Sequence, residues 1–161
     1  MVLVREAVAE DWQALRDIRL AALRDAPDAF GSTYQAQAAY VEADWQRRIS
    51  RGGTFLAYVP EVCASEPAGL AGGYQENPDT VELVSMHVRP PARGRGVGEA
   101  LVARVVSWAG GRNARSVHLW VTETNSPARL LYERCGFRLT GEKQPLPSRP
   151  RIGELGMALP L

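Results

Sequence analysis

The sequence predicts an α/β fold: one mixed sheet of about seven strands, with two of its central strands running parallel. Three observations carry that expectation. The 161 residues, 45% apolar and 23% charged, are an ordinary globular mixture with room for a single domain over 1–161. Hydrophobic periodicity reads β-α-α-β-β-β-α-β-α-β-β along the chain. The strongest strand, Val81–Val88, leads through a glycine-rich turn into a helix and then a further strand. Such a βαβ unit crosses over right-handedly and leaves its two strands parallel.

The elements follow in order. Val2–Arg5 is a short strand. Residues 10–25 form an amphipathic helix with Trp12, Leu15, Ile18 or Arg19, and Ala22 on one stripe, and Pro27 stops it. Thr33–Ala39 and Glu42–Ser50 read as one helix or two short ones, closed by Gly52-Gly53. Phe55–Val59 alternates as a strand should, Gly69–Tyr74 is a weaker strand, and the stretch with Pro60 and Pro67 connects them as a hairpin. Pro90-Pro91 ends Val81–Val88. Gly98–Ala109 is a helix with Leu101, Val102, Val105 and Val106 on its apolar face, ended by Gly110-Gly111. Val117–Val121 is a strand, Pro127–Arg134 a helix and Phe137–Glu142 a strand. Leu146–Arg151, rich in proline, reads as a loop before a last strand, Ile152–Leu159.

Composition excludes several classes. Only Cys63 and Cys135 are present, without paired spacing or a histidine cluster, so neither a disulfide scaffold nor a zinc site is expected. No apolar run approaches membrane-spanning length and the N-terminus lacks signal-peptide order, which points to a cytoplasmic protein with no membrane partner. The net charge of +1 hides a split: residues 1–80 hold 7 arginines against 12 carboxylates, and residues 81–161 hold 12 basic residues against 6. An uneven solvated surface accounts for this. So does a second half that meets an anion while the first leans toward a cation.

The turn Arg93-Gly94-Arg95-Gly96-Val97-Gly98 joins a strand to a helix. Its glycines let backbone N–H groups converge and the helix N-terminus adds positive partial charge, together an anion cradle. A P-loop would need Lys-Ser/Thr where Glu99 and Ala100 stand, and a dinucleotide fingerprint a small residue at Glu99. Strand Val81–Val88 with Arg93-x-x-Gly96-x-Gly98 resembles the acetyl-CoA-binding core of the GNAT superfamily of N-acetyltransferases. Asn125-x-x-Ala128-x-x-Leu131-Tyr132-x-x-x-Gly136-Phe137 is similar to that family's closing motif, and the element order matches over nearly the whole chain.

The resemblance implies a mostly antiparallel sheet whose parallel central pair splays apart, helices on both faces, and acetyl-CoA as cosubstrate in the gap. It puts the pyrophosphate on the amides of Arg93, Gly94, Arg95, Gly96, Val97 and Gly98, the pantetheine arm along Met86 and Val88, Asn125 on the far side, and Tyr132 near the sulfur. It also makes Glu82, eleven residues before Arg93, the base. An alkylammonium of pKa about 10.4 must lose a proton before it attacks a thioester. A carboxylate removes that proton, a backbone N–H polarises the carbonyl, and a phenol protonates the thiolate, with no metal required.

Each residue has a plainer reading. Glu82 is also a solvated strand-start carboxylate, Tyr132 a core aromatic, and Asn125 a helix cap. His87 and His118 read as satisfied sheet histidines and Cys135 as packing. Trp12, Trp45 and Trp108 read as core or rim. Glu123, just after a strand, is a further functional candidate, to support an amine. The acceptor, an amine of a small molecule or peptide, is expected between residues 27–34 and 144–150. The resemblance also leaves a non-catalytic acyl-CoA-binding sensor open. A nucleic-acid binder fits poorly, given the net charge and the lack of interleaved aromatics. Members of the family are often dimers, so a homodimer is an expectation of the resemblance alone.

Overall fold

The computed structural model describes all 161 residues. Seven strands, β1 (Leu3–Glu6), β2 (Thr54–Tyr58), β3 (Gly69–Asn77), β4 (Thr80–Val88), β5 (Ser116–Thr122), β6 (Arg138–Leu146) and β7 (Arg149–Pro160), make one sheet in the order β1-β2-β3-β4-β5-β7-β6. Every neighbouring pair is antiparallel except β4 with β5, as the βαβ reading predicts. Five helices accompany it: α1 (Trp12–Asp25), α2 (Tyr34–Ala38), α3 (Glu42–Ser50), α4 (Val97–Gly111) and α5 (Ser126–Arg134). Residues 33–50 thus resolve into two helices. No helix is long and apolar enough to cross a membrane.

Strand alternation puts helices on both faces. Phe55 and Ala57 of β2 join one core with Val97, Leu101, Val102, Val105 and Ala109 of α4. Leu56, between them, turns the other way and packs with Leu15 and Ile18 of α1 and with Trp45 and Ile49 of α3. Both cores exclude water through the period-2 pattern of the strands and the apolar stripes of the helices.

Two local features differ from the sequence reading. The proline-rich stretch after Leu146 is no long loop: β6 runs to Leu146, β7 begins at Arg149, and Pro147-Ser148 turns between them. The prolines are tolerated because Pro147 sits in the turn and Pro150 lies on the part of β7 before Glu154, where β5 does not pair with it and a missing N–H breaks no second ladder. The hairpin tip folds back onto the start of the chain. Ser148 Oγ donates to the Phe30 carbonyl at 2.5 Å and Arg149 pairs with Asp28 at 2.8 Å. The second feature is a bulge in β4. Gly72 faces Val84 but Leu70 faces His87, so β4 carries one extra residue there, and Ser85 takes a φ of 61°.

Candidate active site

The parallel pairing of β4 and β5 is brief. It joins Thr80 to Ser116, Val81 to Val117 and Glu82 to His118, and then stops. Beyond Glu82 the two strands diverge, leaving the β5-facing edge of β4 without a partner strand. The wedge opens into a cleft of 940 Å³, walled by Met86, His87 and Val88 of β4, by Thr122 of β5, by residues 25–30, by the start of α4 and by Asn125, Ala128, Leu131 and Arg134.

The turn into α4 gives this cleft its electrostatic character. Gly94 and Gly96 have φ of 75° and 81°, a region that L side chains rarely adopt, so the glycines set the path of the loop. That path leaves the main-chain N–H groups of residues 94–98 without any acceptor in the chain; the first helical bond runs from Ala100 N–H to Gly96 O at 3.1 Å, and the Glu99 N–H meets its own carboxylate. Five successive unpaired donors at a helix N-terminus suit a multiply charged anion. Gly98 serves packing instead: a Cβ there would sit 2.8 Å from Leu131 Cδ2, so its absence lets α5 close on α4.

The flanking arginines are placed differently. Arg93 lines the cleft and is held by two bonds, its Nε donating to Val88 O at 3.0 Å and its Nη2 to Asp25 at 2.8 Å. Arg95 is exposed and does not line the cleft. Gly94, Gly96, Val97 and Gly98 line it as well.

Met86 and Val88 line the cleft as expected, and Asn125 satisfies both of its readings. Its side chain caps α5 by accepting from Ala128 N–H at 3.3 Å, and it faces the cleft. Tyr132 lies below the cleft wall, 6% exposed, its ring edge-on to Phe137 at 6.0 Å. Burial raises its phenol well above the ordinary range, which keeps the proton on the oxygen. Glu82 sits at the throat where the strands part, half-buried, and does not line the cleft itself. Burial, then the charges of Glu76 and Glu154, hold its carboxyl above the usual range.

Glu154 and Asp25 were not singled out from sequence. Glu154 is buried on β7 and accepts from Gln144 Nε2 at 2.6 Å. Asp25 closes the cleft beside His87. His87 is itself a cleft residue; burial first, against the pull of Asp25, lowers its imidazole to about 4, so it stands neutral at pH 7. Cys135 has its thiol raised by burial and by Glu99, which agrees with packing. Glu123 pairs with Lys143 at 2.8 Å and accepts from Gly153 N–H, so it ties the β7 edge. Trp45 is fully buried, while Trp12 and Trp108 pack at the rims of the two cores.

A model of the acetyltransferase (GNAT) family matches residues 12–137. The chain belongs to that family. A GCN5-related N-acetyltransferase from Kribbella flavida superposes with a TM-score of 0.76 at 27% identity, covering 99% of this chain and 98% of that one. The Salmonella typhimurium protein yncA, solved with its cofactor acetyl-CoA, superposes with a TM-score of 0.78 at 19% identity over 100% and 94% of the two chains, a likeness of fold. Among curated proteins, the N-acetylaspartate synthetase of Danio rerio is 39% identical over 75 residues, 47% of this chain and 27% of that protein. This GNAT chain therefore aligns with about a quarter of that relative's length.

Proposed function

We propose that the protein transfers the acetyl group of acetyl-CoA to a primary amine of a small molecule or peptide. The observation that carries this reading is the row of unpaired N–H groups at residues 94–98, opening into a cleft between two splayed strands. A diphosphate fits them in charge and in donor number, and the free edge of β4 at Met86 and Val88 suits the amide groups of a pantetheine arm. Acetyl-CoA supplies the acetyl group already activated as a thioester. Glu82, its carboxyl raised above the usual range by burial, takes a proton from the incoming ammonium through water. The bulge at Ser85–Met86 turns a main-chain N–H toward the carbonyl oxygen, and Tyr132 holds the proton that the departing thiol requires. Juxtaposing amine and thioester supplies much of the remaining acceleration.

Release of free thiol on incubation with acetyl-CoA and an amine panel tests this reading. Turnover of at least one amine is the expected result; binding of acetyl-CoA without turnover across a broad panel contradicts it. One observation favours a non-catalytic acyl-CoA-binding module: neither Glu82 nor Tyr132 lines the cleft. Tyr132→Phe separates the two readings. A catalytic phenol predicts that kcat falls about 10²-fold with little change in the KM for acetyl-CoA, whereas the module predicts no activity to lose.

A further inference from the structure

A second cavity, of 430 Å³, adjoins the bulge in β4. It is lined by Arg19 of α1, Gln37 of α2, Arg48 of α3, and Val84 and Ser85 of β4, among others. Val84 and Ser85 run directly into Met86, His87 and Val88, which line the acyl cleft, so one strand serves both spaces. Phe30 links them as well. Its ring lies 4.8 Å from the Arg19 guanidinium and edge-on to His87 at 6.4 Å.

The charge in this cavity is unbalanced. Arg19 is only 6% exposed, and its one hydrogen bond runs from Nε to Gln37 Oε1 at 2.9 Å. Neither Arg19 nor Arg48 pairs with a carboxylate of the chain. Nη1 of each is buried and donates to no protein group. Burial, then the charge of Arg48, lowers Arg19 to about 10, which still leaves it a cation at pH 7. Removing one charge from water without a counter-ion is costly, and placing two like charges at one cavity compounds the cost. The acidic excess of residues 1–80 does not offset it, because none of those carboxylates is buried.

We infer that this cavity is the acceptor subsite and that the acceptor is a compact amine bearing a carboxylate, which Arg19 and Arg48 bind while the amine reaches the bulge at Ser85–Met86. The inference rests on the acetyl-transfer reading and narrows its substrate class. A guanidinium fork matches a planar carboxylate in charge and in spacing, and an anion bound here would offset the two unpaired charges. The reaction stays balanced. The amine nitrogen forms the amide N–C bond, the thioester C–S bond breaks, and the proton lost by nitrogen ends on the thiol.

The test compares ω-amino carboxylates with ω-amino carboxamides of the same length as acceptors. At one chain length the carboxylate should be preferred at least 10-fold in kcat/KM, and Arg19→Gln and Arg48→Gln should each bring that ratio toward one. Equal use of the two series by the unmodified protein overturns the inference. So does a preference that survives in both variants. Two further measurements guard against a misfolded variant. Arg48→Met should melt no lower than the parent in the absence of ligand, since an unpaired buried charge is removed; a lower Tm together with an intact preference makes the arginine structural and overturns the proposal. Succinate should raise the Tm of the parent and not of Arg48→Met, whereas a larger shift with inorganic phosphate would place a phosphoryl group there instead. If no amine of either series is acetylated, turnover across the broad amine panel decides the acetyl-transfer reading. The succinate measurement still decides the cavity.

Discussion

Glu82 and Glu154 illustrate how far single residues reveal themselves. Glu82 follows from its spacing before the turn. Its perturbation does not, because burial comes first and then the charges of Glu76 and Glu154, which only the pairing of β3, β4, β5 and β7 brings near it. A raised carboxyl pKa means that the base is protonated, and idle, to a higher pH than an exposed glutamate near 4.3 would be. The kcat/KM profile should therefore show a low-pH limb above the ordinary carboxyl range, rising as pH increases. Glu82→Gln should abolish that limb and lower kcat about 10²–10³-fold; a profile identical to the parent's would assign the base elsewhere. Arg19 and Gln37 were equally illegible. Arg19 reads as one residue on a helical stripe, and only the docking of α2 and α3 against α1 shows that it is buried with a second arginine at hand.

Local elements were the most legible part of the chain. The turn Arg93–Gly98, the cap at Asn125 and the βαβ unit are each written in a few consecutive residues, where backbone sterics decide the outcome. The hairpin at Pro147-Ser148 was not, because proline's compatibility with it depends on how far β7 pairs with β5 in the finished sheet. Gly96→Ala tests the turn. An alanine forced to a φ of 81° costs about 1–2 kcal/mol, so the Tm should fall by a few degrees and acetyl-CoA affinity by about 10-fold as the amides lose alignment. The bulged strand β4 makes a separate prediction through His87. Its imidazole sits near 4 in the fold against 6.5 in an unfolded chain. The neutral form is favoured, so this stability is complete above pH 6.5 and is lost as pH falls toward 4, up to about 3 kcal/mol. Denaturation midpoints across that interval should fall less steeply in His87→Gln; an unchanged slope would contradict the assignment.

Over the molecule, the parted strands β4 and β5 organise everything else. Their short pairing at 80–82 and 116–118 fixes the throat, the divergence beyond it makes the cleft, and α4 aims its free amides across the opening. The hairpin between β6 and β7 and the segment after α1 bond to each other, which brings together the two stretches, 27–34 and 144–150, between which the family resemblance places the acceptor. The order of elements made this architecture legible, since one βαβ crossover among antiparallel neighbours leaves few alternatives. The separation of the strands was not written in any residue pattern and entered only with the family resemblance. Main-chain capture of a diphosphate underlies the cleft's function. Titration calorimetry with coenzyme A, and in parallel with pantetheine, which lacks the diphosphate, measures that capture directly. Coenzyme A should bind with a micromolar or tighter Kd, weakened at least 100-fold for pantetheine. Equal affinity for the two compounds, or no heat with either, would contradict it.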